Sequence, residues 1–219
     1  MRGNRWVFFD LGWTLVDETA AHLERLEGLR RLGPPYSEVR DAEYLELCEV
    51  HSTRFAPSAF LATLQTLDPA GWESAKSHST YSHEAERLYP GVRALLNQLR
   101  QTFHLGVIAN QTAGTADRLE ELGVLDTFSV VVSSAEAGLE KPDPRIFAHA
   151  LTLAGCVAED ATMVGDRLDN DIGPANTAGW RTIRVLQGFA RKQVPRRETE
   201  RPDRTIARIG DLSLFAAEP

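Results

Sequence analysis

Four short segments place acidic, amide or ammonium side chains just after apolar runs or before helices. Asp10 follows Trp6–Phe9, and Asn110 and Gln111 follow Leu105–Ile108. Lys141 lies within Gly138–Pro144, and Asp166, Asp169 and Asp171 follow Thr162–Val164. A carboxylate delivered onto a turn by a strand can act as a nucleophile, a metal ligand or both. Backbone N–H groups at a helix start, here opened by Gly114 and Thr115, suit an anion. Lys141 is one of three lysines, with Lys76 and Lys192, and prolines on both sides of Asp143 stiffen the approach to the next helix. An ammonium fixed there suits a dianionic phosphate or a buried carboxylate. A glycine and then three carboxylates, from Gly165 to Asp171, suggest a hard cation held by oxygens, although the pattern is not that of an EF-hand. Taken singly, each segment has an ordinary alternative: a capping aspartate, a surface lysine, or a solvated acidic turn.

The elements that must hold these groups alternate. Strand-like runs at Trp6–Phe9, Leu105–Ile108, Val130–Val132, Thr162–Val164 and Thr182–Val185 are separated by helix-period stretches. These include Val92–Arg100, Thr115–Leu122, Pro144–Leu153 and Ile172–Ala178. The alternation predicts an α/β fold, a doubly wound (Rossmann-like) parallel sheet with its chemistry at the C-terminal strand ends. From Val16 to Leu88 no strand run appears. Helical stretches are expected there over Thr19–Leu32, Ser37–Arg54 and Pro57–Leu67, with Leu23, Leu26, Leu29 and Leu32 close to one face. Gly33-Pro34-Pro35 and Asp68-Pro69 punctuate them. The simplest division is an α/β core of residues 1–15 and 89–219 with an inserted all-α cap domain of residues 16–88. The arginine-rich segment Gln187–Arg204 is expected to be a solvated loop, with anion steering as its functional alternative.

Composition excludes several classes of function. The 219 residues are 42% hydrophobic and 25% charged, as in a soluble globular protein able to bury a core without staples. Cys48 and Cys156 form no CxxC pattern and no disulfide framework, so a reducing, cytoplasmic location is expected. The apolar run near the start breaks at Asp10, unlike a secretory leader, and no stretch approaches the ~18 apolar residues of a membrane span. A net charge of -7 and a pI near 5.4 argue against a nucleic-acid surface. The sequence carries no signal for oligomeric state.

Taken together and in this order, Phe8–Leu15, Leu105–Thr112, Gly138–Pro144 and Met163–Ile172 resemble the motifs of the haloacid dehalogenase (HAD) superfamily of hydrolases. The resemblance is to the group with a helical C1-type cap between the first and second motifs. It spans nearly the whole chain, including Leu88–Val92 at the cap exit and Ala178-Gly179-Trp180 near the end. The resemblance implies that Asp10 attacks the phosphorus of a phosphate ester and becomes an aspartyl-phosphate. It implies a Mg²⁺ ion held by Asp10, the Gly12 carbonyl and Asp166, with Asp171 supporting the site through water or by holding Lys141. Lys141 would neutralise Asp10 and the phosphoryl oxygens. Thr14 and Asn110 are expected near the phosphoryl group, and Gln111 and Trp13 complete the expected substrate-binding set. The scheme is physically coherent, because two anions approach each other only when cations screen them. The cap implies a closed pocket for a small phosphorylated metabolite, with cap motion near Val16–Asp17 and Leu88–Gly91.

Two positions depart from the family pattern. Gly12 stands where phosphatases of the family carry a second Asp as general acid and base, and Trp13 follows where glycine is usual. Ala109 stands where Ser or Thr donates to the phosphoryl group. A general acid or base is worth ~10²–10⁴-fold in rate, and one hydrogen bond to a charged group about 1.5–3 kcal/mol. The losses slow catalysis without forbidding it. Either the leaving group needs little acid help or another group supplies the proton, with Asp17 and the cap histidines His22, His51, His78 and His83 as candidates. The alternatives are a non-catalytic or weakly active binding protein, a 2-haloacid dehalogenase, or a phosphonatase using Lys76.

Overall fold

Trp6–Phe9 (β1) is apolar at every position because it lies mid-sheet, covered on both faces. The pleat divides it. Val7 and Phe9 enter the core on one face, and Trp6 and Phe8 the core on the other. This computed structural model describes residues 5–215. The outermost residues of the expected core, 1–4 and 216–219, lie outside the described residues.

After β1 come Val16–Asp17 (β2), Thr19–Arg30 (α1), Asp41–Thr53 (α2), Ala59–Leu67 (α3), Trp72–Ser77 (α4) and Arg87–Leu88 (β3). β2 and β3 pair antiparallel, which corrects the expectation of no strand between Val16 and Leu88. Two-residue strands are too short to leave a period in the sequence. The helix expected over Ser37–Arg54 is a 3₁₀ turn at Tyr36–Glu38 followed by α2. Leu26 and Leu29 are buried, but Leu32 lies past the end of α1 and is exposed. Ser58 caps α3 by accepting the Leu61 N–H at 3.2 Å. Leu26, Leu29, Tyr44, Cys48, Phe60 and Leu64 pack together as the core of this helical insertion.

The chain continues through Val92–Leu99 (α5), His104–Ala109 (β4), Thr115–Glu121 (α6), Val130–Ser133 (β5), Ser134–Ala137 (α7) and Pro144–Ala154 (α8). Ala161–Gly165 (β6), Gly173–Thr177 (α9), Arg181–Val185 (β7) and Arg204–Ile206 (β8) complete the sheet. Its order is β5-β4-β1-β6-β7-β8, with every pairing parallel. This is the doubly wound architecture expected, with β8 added at an edge. Arg204 and Thr205 are exposed there, so β8 has no apolar run to betray it. The winding reverses at β1, which opens a crevice at the C-terminal ends of β1, β4 and β6.

The arginine-rich segment after β7 is largely a loop with exposed basic side chains, as expected, and it is also tied to its neighbours. Arg191 and Lys192 pair with Glu49 of α2 at 2.6 and 3.0 Å. Arg196 and Arg197 pair with buried Glu200 at 2.6 and 3.0 Å. Gln193 donates to the Ser52 carbonyl at 2.8 Å and accepts the Leu168 N–H at 2.9 Å. Among the described residues, no helix is long and apolar enough to cross a membrane.

Candidate active site

Asp10 emerges from the central strand, and its N–H donates to the Val164 carbonyl of β6 at 2.9 Å. Lys141 Nζ donates to Asp10 Oδ1 and to Asp171 Oδ1, both at 2.6 Å. Its position is set by Asn110, just beyond β4. Asn110 Nδ2 donates to the Lys141 carbonyl and Asn110 Oδ1 accepts the Lys141 N–H, both at 2.7 Å. Asp171 sits in a π-helical turn, Leu168–Ile172, where its Oδ2 accepts the Arg167 N–H at 3.0 Å. Asp166 follows β6 directly. One carboxylate oxygen from each of Asp10, Asp166 and Asp171 lies within 4.8 Å of the others.

Burial, reinforced by Asp171 and Asp10, raises the Asp166 pKa well above the ordinary carboxylate range. Burial also lifts Asp171, to about 6, against the opposing pull of Lys141. For Lys141, burial alone would lower the ammonium pKa, but Asp10 and Asp171 outweigh it and the net shift is upward. Three carboxylates against one ammonium leave two negative charges when all are ionised, since 3 − 1 = 2. The Asp166 carboxylate is 3% exposed, yet makes no hydrogen bond or ion pair among the described residues. An all-oxygen donor set with this charge deficit and an unpaired buried carboxylate fits a hard divalent cation.

The cluster forms part of the wall of a cavity of about 990 Å³ that reaches up to the helical insertion. Trp13 lines it with a left-handed φ of 58°, its indole 4.5 Å from the Phe189 ring and 5.8 Å from His22. Gln111 also lines it, but its Oε1 accepts from Arg118 Nη1 at 2.6 Å and its N–H donates to Ser134 Oγ at 3.0 Å. Thr14 is buried away from the cavity wall with its hydroxyl unpartnered. From α1, Arg25 faces the cavity with its guanidinium 3.4 Å over the Phe60 ring and no ion pair among the described residues.

Residues 7–185 match the model of the haloacid dehalogenase-like hydrolases. The chain belongs to that family. A glyceraldehyde 3-phosphate phosphatase of Pyrococcus abyssi is 34% identical over 189 residues, 81% of this chain and 79% of that protein. One from Methanopyrus kandleri is 42% identical over 129 residues, 57% of this chain and about half (54%) of that protein's length. The crystal structure of a predicted phosphoglycolate phosphatase from Haemophilus somnus shares the fold, with a TM-score of 0.76 at 20% identity, covering 96% of this chain and 97% of that one.

Of the acid–base candidates for this HAD hydrolase, His22 and His83 reach the cavity wall, whereas Asp17, His51 and His78 do not line it. Asp17 Oδ1 accepts the Thr19 N–H at 2.9 Å and so caps α1. His51 Nε2 lies 2.8 Å from the Thr66 hydroxyl and His78 Nδ1 3.0 Å from the Ser74 carbonyl, both off the cavity wall. His22 reaches the wall, but burial and then Arg25 hold its pKa down to about 3. His83 reaches it and hydrogen-bonds Glu86 Oε1 at 3.2 Å. The residue that sequence reasoning missed is Glu18. Its carboxylate lies beside Gly12, where an added Cβ would stand 2.3 Å from Glu18 Oε1. Burial, then Glu86, lifts the Glu18 pKa to about 8. Arg118 lies 2.5 Å from Glu86 Oε2 but 3.7 Å from Glu18 Oε1, so Glu86 takes most of its charge. Tyr81 donates to Glu86 Oε1 at 2.7 Å.

Proposed function

We propose that this HAD hydrolase is a Mg²⁺-dependent phosphatase of a small phosphorylated metabolite. The observation that carries the reading is the 2.6 Å contact of Lys141 with Asp10, beside an Asp166 carboxylate that has no partner of its own. Asp10 Oδ attacks phosphorus, the ester oxygen leaves, and an aspartyl-phosphate forms that water then cleaves. Lys141 holds Asp10 in place and offsets the charge of the two anions as they meet. Asp10, Asp166 and the Gly12 carbonyl would hold Mg²⁺, with Asp171 supporting the site through Lys141. When bound, the ion supplies positive charge opposite the phosphoryl oxygens. A carboxylate kept for a cation serves nothing beside a neutral haloacid carbon, which disfavours the dehalogenase reading.

In this reading residues 16–88 are the cap that excludes water, and residues 1–15 and 89–219 the core. Trp13 and Gln111 shape the substrate side, Thr14 backs the loop after the nucleophile, and Asn110 acts through Lys141. Arg25, without a carboxylate of its own, supports a substrate that carries a second anionic group far from the phosphate. A cytoplasmic location suits such a metabolite. The test is phosphate release from a panel of small phosphate esters and p-nitrophenyl phosphate, with and without Mg²⁺, in wild type and Asp10→Asn. Metal-dependent turnover abolished by the substitution is expected. Measurable Mg²⁺ binding without turnover across the panel would establish the binding protein instead, and metal-free halide release the dehalogenase.

A further inference from the structure

We propose that Glu18 is the proton-transfer group of this active site, reaching from the start of the cap's first helix into the space left empty by Gly12. The inference rests on the phosphatase reading above. Its geometric basis is the place that the Glu18 carboxylate occupies. Glu18 Oε1, Cδ and Oε2 lie 2.3, 2.8 and 3.1 Å from where a Cβ on residue 12 would stand. A side chain at position 12 would push the Glu18 carboxylate out of its present place, and the chain that lacks the first has the second there. Gly12, read in the sequence as a loss, is what admits Glu18.

The local structure also frees Glu18 for this task. It occupies the N-cap position of α1, yet its side chain makes no capping hydrogen bond. Asp17 satisfies the Thr19 N–H instead. The Glu18 carboxylate turns toward the cavity, whose wall it shares with Asp10, Gly12 and Lys141. Arg118 steadies it from 3.7 Å while engaging Glu86 more closely. In the first step the P–O bond to the leaving group breaks as the bond from Asp10 Oδ to phosphorus forms, and the Glu18 proton passes to the departing oxygen. In the second, water adds to phosphorus as the Asp10–phosphorus bond breaks, and its proton returns to Glu18. The atoms balance without a co-reactant beyond water.

The test compares two esters within one variant, so a partly misfolded preparation cannot mimic the result. Glu18→Gln keeps the size of the side chain and removes the transferable proton. An alkyl phosphate, whose leaving oxygen needs protonation, should lose about 10²–10⁴-fold in kcat. p-Nitrophenyl phosphate, whose leaving group departs unaided, should retain its first step and show a burst as the aspartyl-phosphate accumulates. Gly12→Asp combined with Glu18→Ala should recover at least about a tenth of the lost alkyl-phosphate rate, within the range of one acid–base group. Equal losses on both esters without a burst, or no loss on either, overturn the inference while wild-type turnover preserves the phosphatase reading. A wild-type protein that releases phosphate from no ester of the panel sinks both.

Discussion

Asn110→Ala separates positioning from substrate contact. The substitution deletes the two 2.7 Å hydrogen bonds that grip the Lys141 backbone. Lys141 is 3% exposed, so its N–H and carbonyl are left without those partners in a nearly dry site. Each unsatisfied buried group costs about 1–3 kcal/mol, or roughly 2–6 kcal/mol for the two if no water enters. In a chain of this size each kcal/mol lowers Tm by about 2–4 °C, so a drop of at least about 4 °C is expected by calorimetry. The kinetic effect has a different origin. Lys141 Nζ contacts both Asp10 and Asp171 at 2.6 Å, and a shift of its backbone moves the ammonium off both. A misplacement of ~1 Å corresponds to about 10²-fold in kcat. Both polar ends of the Asn110 amide face Lys141, so KM should stay within about twofold. Phosphate release measured across substrate concentration decides the matter. A KM raised about tenfold at unchanged kcat would show the amide touching substrate and refute the reasoning.

Three other outcomes are expected. Burial holds the His22 pKa near 3, below its ordinary 6.5, so folding favours the neutral ring. Its contribution is complete above about 6.5 and is lost as pH falls toward 3, at up to roughly 1.4 kcal/mol per pH unit. His22→Gln should flatten the stability profile in that window under denaturant titration, and an unchanged slope would contradict this. Gly188→Ala should lower stability by at least about 1 kcal/mol in a thermal melt, because Gly188 is left-handed. Its new Cβ would stand 2.4 Å from the Trp13 Cβ, at a φ of 61°, and an unaltered melt would disprove the contact. Arg25→Gln should raise KM for phosphate esters bearing a carboxylate and spare p-nitrophenyl phosphate. Parallel changes on both would count against a second anionic site.

The groups that bind charge were legible where a strand delivers them directly. Asp10 and Asp166 each follow a buried run, so the β-period and the turn announce them, and Lys141 stood out by the scarcity of lysines. The meeting of Asp10, Lys141 and Asp171 was foreseeable only as a set, because they converge from separate strand ends. Glu18 was illegible for a physical reason. An acidic residue just before a helix is an ordinary occupant of that position, and only the packing of α1 against the loop after β1 shows that Glu18 fills the space beside Gly12. Glu86 and Arg118 come from distant elements and carry no local signal. Trp13 looked like a departure from glycine, and its φ of 58° shows why glycine suits that turn. Contact of the indole with Phe189 and His22 accompanies the retained tryptophan. Charge composition announced the exposed arginines after β7 but not their tethers, because Glu49 sits far away in sequence and Glu200 is hidden by burial.

Gln193 bonds at one end of its amide to Ser52 of α2 and at the other to the turn that carries Asp171. Hydrogen bonds of this kind weaken steeply with small changes of length and angle. Displacing α2 must therefore either snap this strut or tug on the acidic turn. The placement of α2 and the alignment of Asp171 against Lys141 are then mechanically linked, so neither can be re-engineered without the other.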